Sequence, residues 1–121
     1  MERLIALDVE TTGLRISEGH RIIEVGAVEI LDREITNTEF QKYVQPNRKV
    51  GESVNIHGIT DKFLINKPQF NQISDDLLSF IEGATLVIHN APFDLGFLNN
   101  ELKIIGIKET IESICPIIDT L

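Results

Sequence analysis

A chain of 121 residues that is 42% hydrophobic and 25% charged has the length of one domain and a composition that excludes disorder. Its formal charge of −8 excludes a broad non-specific nucleic-acid surface, because such binding rests on lysine and arginine neutralising phosphates. It does not exclude a nucleic-acid enzyme, since a divalent ion held by carboxylates itself supplies positive charge.

From the N-terminus, Leu4–Leu7 reads as a central strand buried on both faces. Its continuation, IALDVETTGL (5–14), ends in Asp8 and Glu10 before a Thr11-Thr12-Gly13 turn. A polar loop with Ser17, Gly19 and His20 leads to RIIEVGAVEI (21–30), a second strand rich in Ile and Val. Asp32-Arg33 marks the tip of a tight connection into a third strand, TNTEFQKYVQP (36–46), which Pro46 ends. Short joins between three strands predict an antiparallel meander.

GITDKFLINKP (58–68) reads as a short helix capped by Thr60, with Pro68 beyond its end. FNQISDDLLSFIEG (70–83) spaces Phe70, Ile73, Leu77, Phe80 and Ile81 by threes and fours, an amphipathic helix closed by Gly83. ATLVIHN (84–90) is a short apolar strand. PFDLGFLNNELKIIG (92–106) is a helix with Pro92 in its first turn and Gly106 at its end. This order predicts a parallel crossover and hence an α/β fold with a mixed sheet. SICPIIDTL (113–121) holds a last short strand, and Asp119-Thr120 resembles the cap of a further helix that does not follow. The expectation is that residues are missing beyond Leu121.

A lone cysteine, Cys115, cannot form an internal disulfide. No apolar stretch approaches a membrane span, and the N-terminus lacks a signal-peptide pattern; the expected setting is cytoplasmic, with no membrane partner.

Side chains alternate across a strand, so Asp8 and Glu10 project to one side and Val9 to the other. Carboxylates this close repel unless a proton or cation lies between them. Magnesium-like ions need only one or two protein carboxylates beside a substrate phosphate. Solvation of a strand end accounts for the spacing equally well. Asp94, in the first turn of its helix, is stabilised by the positive end of the helix dipole. Phe97 and Leu98, three and four residues on, extend from its face toward the sheet. Position alone describes Asp94 as an ordinary first-turn acid.

Four blocks carry more information together: LDVETTGL (7–14), HRIIEVGAVEI (20–30), VNIHGITDKFL (54–64) and LVIHNAPFDLGFLNNEL (86–102). In this order and spacing the chain resembles, over essentially its whole length, the proofreading exonuclease subunits of bacterial DNA polymerase III, within the DEDD exonuclease family. The resemblance implies a ribonuclease H-like fold, with an antiparallel three-strand meander plus parallel strands flanked by helices. It implies one exonuclease domain over residues 1–121, truncated at its C-terminal side. The implied activity is 3′-to-5′ removal of nucleoside 5′-monophosphates from DNA 3′ ends during replication. Two divalent ions, Mg²⁺ or Mn²⁺, would serve it. Asp8 would bridge them, Glu10 would hold the first, and Asp94 would steady the second through water. Thr11, Thr12, Glu52 and His57 would line the pocket of the terminal nucleotide. The implied partners are a DNA 3′ terminus and the catalytic alpha subunit of the polymerase.

The chain departs from that pattern in one respect. The family's third motif, His-x-x-x-x-Asp, lies beyond the second, yet His20, His57 and His89 all precede Asp94. The general-base histidine, the fourth acid and the polymerase-attachment tail are absent from these residues. Little or no activity is therefore expected of the chain alone, together with an uncovered sheet face. His89 is expected to be structural, with Asn90 tying down its turn, and His20 to lie in a mobile polar loop without chemistry. The alternatives are a non-catalytic metal- or nucleotide-binding module and an RNA-trimming enzyme of the same superfamily.

Overall fold

In a computed structural model, residues 2–121 are described. Five strands form one sheet in the order β3-β2-β1-β4-β5: β1 (Arg3–Thr11), β2 (Ile22–Leu31), β3 (Glu34–Tyr43), β4 (Thr85–Ile88) and β5 (Ile117–Asp119). The first three pair antiparallel, whereas β4 lies parallel to β1 and β5 parallel to β4. This is the mixed sheet that the alternation of segments predicts. Asp32 and Arg33, with φ of 50° and 70°, give the β2–β3 hairpin its two left-handed turn residues, the twist that suits a tight antiparallel join.

Two longer helices, α3 (Phe70–Ile81) and α4 (Ala91–Ile104), cover one face of the sheet. Ile5, Leu7 and Val9 of β1, Val25 and Ala27 of β2, and Leu86 and Ile88 of β4 are buried there. Phe70, Leu77 and Ile81 of α3 and Phe97, Leu98 and Leu102 of α4 complete the cluster. Each large apolar side chain so buried contributes about 2 kcal/mol. Gly83 and Gly106, with φ of 80° and 85°, close the two helices where a left-handed residue is required.

The opposite face is open. Leu4 and Ala6 of β1, Gly26 and Val28 of β2 and Val87 of β4 are only half-buried, and Ile118 of β5 is 48% exposed. β1 is thus buried on one face, contrary to the two-sided burial its apolar run suggests, because both long helices pack on the same side.

Three single-turn helices complete the fold: α1 (Val54–His57), α2 (Asp61–Leu64) and α5 (Ile111–Ile114). The helix expected over 58–68 is therefore one turn, α2. Thr60 does cap it, its side chain accepting from the Phe63 N–H. The turns 54–57 and 111–114 have too few residues for an apolar period to show. The β1–β2 register slips between Glu10 and Thr11. Beyond the slip, Ile22 joins the main core while Ile23 joins a second cluster with Val50, Ile59 and Leu64. That cluster seats the arm 50–64 beside the end of β1, where a bulge commonly re-aims side chains. No helix among the described residues is long and apolar enough to cross a membrane.

Candidate active site

Val9, between the two acids of β1, is buried in the core, so Asp8 and Glu10 project from the other face, as alternation requires. Asp8 is exposed and Glu10 half-buried. The parallel ladder to β4 spans only Leu4–Ala6, which leaves the Val9 N–H without a strand partner on that edge. Asp94 supplies one: its Oδ2 accepts this N–H at 3.0 Å. The Asp94 carboxylate, 3% exposed, is thus turned into the protein and toward the acids of β1. Pro92 in the first turn of α4 and the left-handed Asn90 before it (φ 60°, ψ 58°) set the angle at which the helix leaves β4.

Asp119 also shapes that corner. Its Oδ1 accepts the backbone N–H groups of Asn90 and Leu121, each at 3.0 Å, and Thr120 N–H donates to the Ile88 carbonyl at 3.0 Å. The segment that resembles a helix cap instead holds the start of α4. Asn90 ties down its turn through its backbone conformation and N–H; its side chain makes no capping bond. At the far side of α4, the buried Glu101 accepts from Arg21 Nε and Nη2 at 2.8 and 2.7 Å and from the Ile22 N–H at 3.1 Å, locking the helix to β2.

Two of the three acids, Asp94 and Glu10, are raised, whereas Glu29, Glu112 and Asp119 are lowered. Burial pushes the Asp94 carboxyl up from 3.8 to about 7, and the negative charges of Asp8 and Glu10 push the same way against the Val9 bond. Glu10 is raised by burial and then by Asp8, with His57 acting in the opposite sense. Glu29 behaves oppositely: its bond to Arg3 holds it below the usual carboxylate range. Asp94 and Glu10 are thus both raised by burial and by the negative charge of Asp8 beside them.

A cleft of about 600 Å³ adjoins this group, lined by Glu10, Thr11, Thr12, Glu52 and His57 among others. Five of the residues expected at the site thus line one cleft. Asp8 lines a neighbouring hollow on the open sheet face, together with His89, and Asp94 lies beneath Val9. The threonine hydroxyls are committed locally: Thr11 Oγ1 donates to the Gly13 carbonyl at 2.6 Å, and Thr12 Oγ1 accepts the Arg21 N–H at 3.0 Å. Glu52 sits in an exposed turn, Gly51–Ser53, whose start is held by the Val50 N–H bond to Asp61 Oδ1 at 2.8 Å. His57 Nδ1 accepts the Ile59 N–H at 3.0 Å. The neutral ring therefore carries its proton on Nε2, which meets Ser53 Oγ at 2.9 Å.

Other cleft residues have no motif to announce them. Leu14 and Ile56, 78% and 83% exposed, stand on its lips with Phe93 and Arg48 nearby. His20 is not in a free polar loop: its Nδ1 is 2.9 Å from Thr12 Oγ1, and its ring lies where a β-carbon on Gly13 would be, 2.3 Å from Nε2. That requirement for glycine was the one signal available in ETTGL. His89 pairs with Thr120 Oγ1 at 3.1 Å, consistent with a structural part.

Among the described residues no three His, Cys, Asp or Glu side chains form a ready metal cage. The donor set nevertheless fits a hard divalent ion. It consists of carboxylate oxygens that form no salt bridge among the described residues, and magnesium takes few protein ligands when phosphate and water supply the rest.

A meander continued by parallel strands, with acids gathered at the carboxyl end of the central strand, defines a ribonuclease H-like nuclease fold. The Exonuclease family model matches residues 5–121, and the chain belongs to this family. It is 50% identical over 125 residues to the DNA polymerase III subunit epsilon of Buchnera aphidicola from Acyrthosiphon pisum, covering 99% of this chain and 53% of that protein. The chain spans about half the length of the curated relatives it matches. A solved structure of exonuclease I superposes with a TM-score of 0.85 at 16% identity, over 100% of this chain and 28% of that one. The nuclease domain of 3'hExo, a DEDDh family member bound to rAMP, gives 0.75 at 23% identity over 88% and 61%.

Proposed function

We propose that the chain is the catalytic-side portion of a proofreading 3′-to-5′ exonuclease that removes nucleoside 5′-monophosphates from DNA 3′ ends. One observation carries the reading: Asp94, 85 positions along the chain from Val9, turns inward onto the strand that bears Asp8 and Glu10, whose charges raise its carboxyl. The 50% identity to a polymerase III epsilon subunit supports DNA as substrate, the polymerase catalytic subunit as partner and the cytoplasm as setting.

Asp8, Glu10 and Asp94 would hold divalent ions, Mg²⁺ or Mn²⁺, with the Val9 N–H fixing the Asp94 carboxylate. Such ions, when bound, supply the charge that stabilises attacking and leaving oxygens at a phosphodiester. Thr11 and Thr12 present the wall of the nucleotide pocket through their backbone, and Glu52 with His57 forms its facing side. Leu14, Ile56 and Phe93 offer apolar surface to a base and exclude water beside it.

The base of the reaction is not evident among the three histidines. His20 is bonded to Thr12, His57 to Ser53 and Ile59, and His89 to Thr120. These commitments favour a second reading, in which the chain binds metal and nucleotide without turnover. Without a positioned base, hydrolysis by this chain is expected to run about 10²–10⁴-fold slower than in a complete relative; equal rates would refute that.

Titration of Mn²⁺, with and without thymidine 5′-monophosphate, against the wild-type chain and Asp8→Ala tests the site. Metal-dependent nucleotide binding that disappears in the variant is the expected result. Undiminished binding by Asp8→Ala would overturn the assignment.

A further inference from the structure

Arg48 is a cation set in the wall of an acidic cleft. It lines the same cavity as Glu10 and Glu52, yet it forms no salt bridge among the described residues. Arg3 and Arg21, by contrast, are matched to Glu29 and Glu101. The Arg48 guanidinium is held only by two carbonyls: Nε donates to Lys49 O at 3.2 Å and Nη1 to Glu18 O at 3.4 Å. Both bonds are long and exposed, and most of the five N–H donors remain open.

The bond to Glu18 crosses from the arm carrying Glu52 and His57 to the turn that joins β1 and β2. Arg48 thereby bridges the two rims of the cleft. In a chain of charge −8, a strand leading away from an acid-lined site meets repulsion wherever its phosphates are not matched. A planar guanidinium with free, parallel donors is the group best shaped to take a phosphate, and a phosphate oxygen is a stronger acceptor than either carbonyl it would replace.

We propose that Arg48 binds a non-scissile phosphate of the single DNA strand whose 3′ end occupies the cleft. This rests on the exonuclease reading above and adds the path of the strand: across the rim between the 12–21 turn and the 47–57 arm. Arg48 is a positioning residue on the wall of that cleft, assigned here to the strand beyond the terminal nucleotide.

The test measures binding of a 5′-fluorescein oligothymidylate with a non-hydrolysable phosphorothioate at its 3′ end, in Mn²⁺, by anisotropy across a salt series. Wild type, Arg48→Gln and Arg48→Lys are compared, with thymidine 5′-monophosphate as a single-phosphate ligand. Loss of one phosphate contact on a single strand reduces the slope of log K against log salt by about 0.7. Arg48→Gln is expected to show that reduction and to weaken binding regardless of base sequence. Arg48→Lys should keep the slope, and affinity for the monophosphate should be the same in all three proteins. An unchanged slope in Arg48→Gln overturns the proposal while leaving the exonuclease reading intact. Equal weakening of the monophosphate overturns it too, by placing Arg48 at the terminal nucleotide. A wild-type chain that binds neither ligand in Mn²⁺ sinks both.

Discussion

Replacing Asp94 by asparagine is expected to make the metal-free protein more stable at pH 8. Burial and the neighbouring Asp8 lift the Asp94 carboxyl from 3.8 to about 7. An acid raised in the folded state contributes stability that is fully present below its unfolded pKa and is lost as pH rises through the folded value. At about 1.36 kcal/mol per unit, the loss between pH 4 and pH 8 amounts to roughly 4 kcal/mol. Glu10, also raised, adds in the same direction. Glu29, Glu112 and Asp119 are lowered, so their contributions fade only below the ordinary carboxylate range and leave this window clear. Asparagine carries no charge at any of these pH values and retains an oxygen for the Val9 N–H. Urea denaturation in a chelator, from pH 4.5 to 8.5, should show the wild type losing stability steadily and Asp94→Asn remaining nearly level. Added Mn²⁺ should stabilise the wild type at pH 8 more than the variant, which keeps only Asp8 and Glu10 as ligands. A wild-type curve that is flat from pH 4.5 to 8.5, or a variant less stable at pH 8, would refute the reasoning.

Gly13→Ala places a β-carbon 2.3 Å from His20 Nε2, so the ring must leave Thr12; a loss of about 1 kcal/mol is expected from the broken bond. Adding His20→Ala should recover the strain part, and a double-variant cycle of thermal melts that is strictly additive would contradict this. Glu101→Gln leaves the Arg21 guanidinium unmatched against a nearly fully buried position and should cost about 3 kcal/mol in chemical denaturation; a cost below about 0.5 kcal/mol would mean the bridge is idle. The open sheet face, with Val28 and Val87 half-buried and Ile118 48% exposed, should drive concentration-dependent association of the chain. Sedimentation velocity should show the association reduced by Ile118→Lys, and a monodisperse wild-type monomer would count against it.

Much of the architecture was legible in local pattern. The spacing of Phe70, Ile73, Leu77, Phe80 and Ile81 describes α3, and all are buried except Phe80, which is half-buried. Asp32-Arg33 marks the hairpin, and Gly83 and Gly106 mark helix ends. Elements of a single turn escaped, since four residues at 54–57 or 111–114 complete no apolar period. One-sided burial of β1 also escaped, because Leu4-Ile5-Ala6-Leu7 reads as apolar whichever face is covered.

The candidate site divides along the same line. The order of residues by itself determined that Asp8 and Glu10 share a face, that Asp94 begins a helix, and which family the four blocks resemble. Those are consequences of a two-residue alternation, a helical turn and a string of letters. Only tertiary structure decided that Asp94 meets the Val9 N–H, that Asp119 holds the turn before it, that His20 packs on Gly13, and that Arg48 reaches the carbonyl of Glu18. Each joins residues whose meeting depends on how the sheet and helices pack, or on where a loop returns. Burial and charge are set by that packing, and they lift the Asp94 carboxyl to about 7 where a first-turn aspartate in solvent would stay ionised.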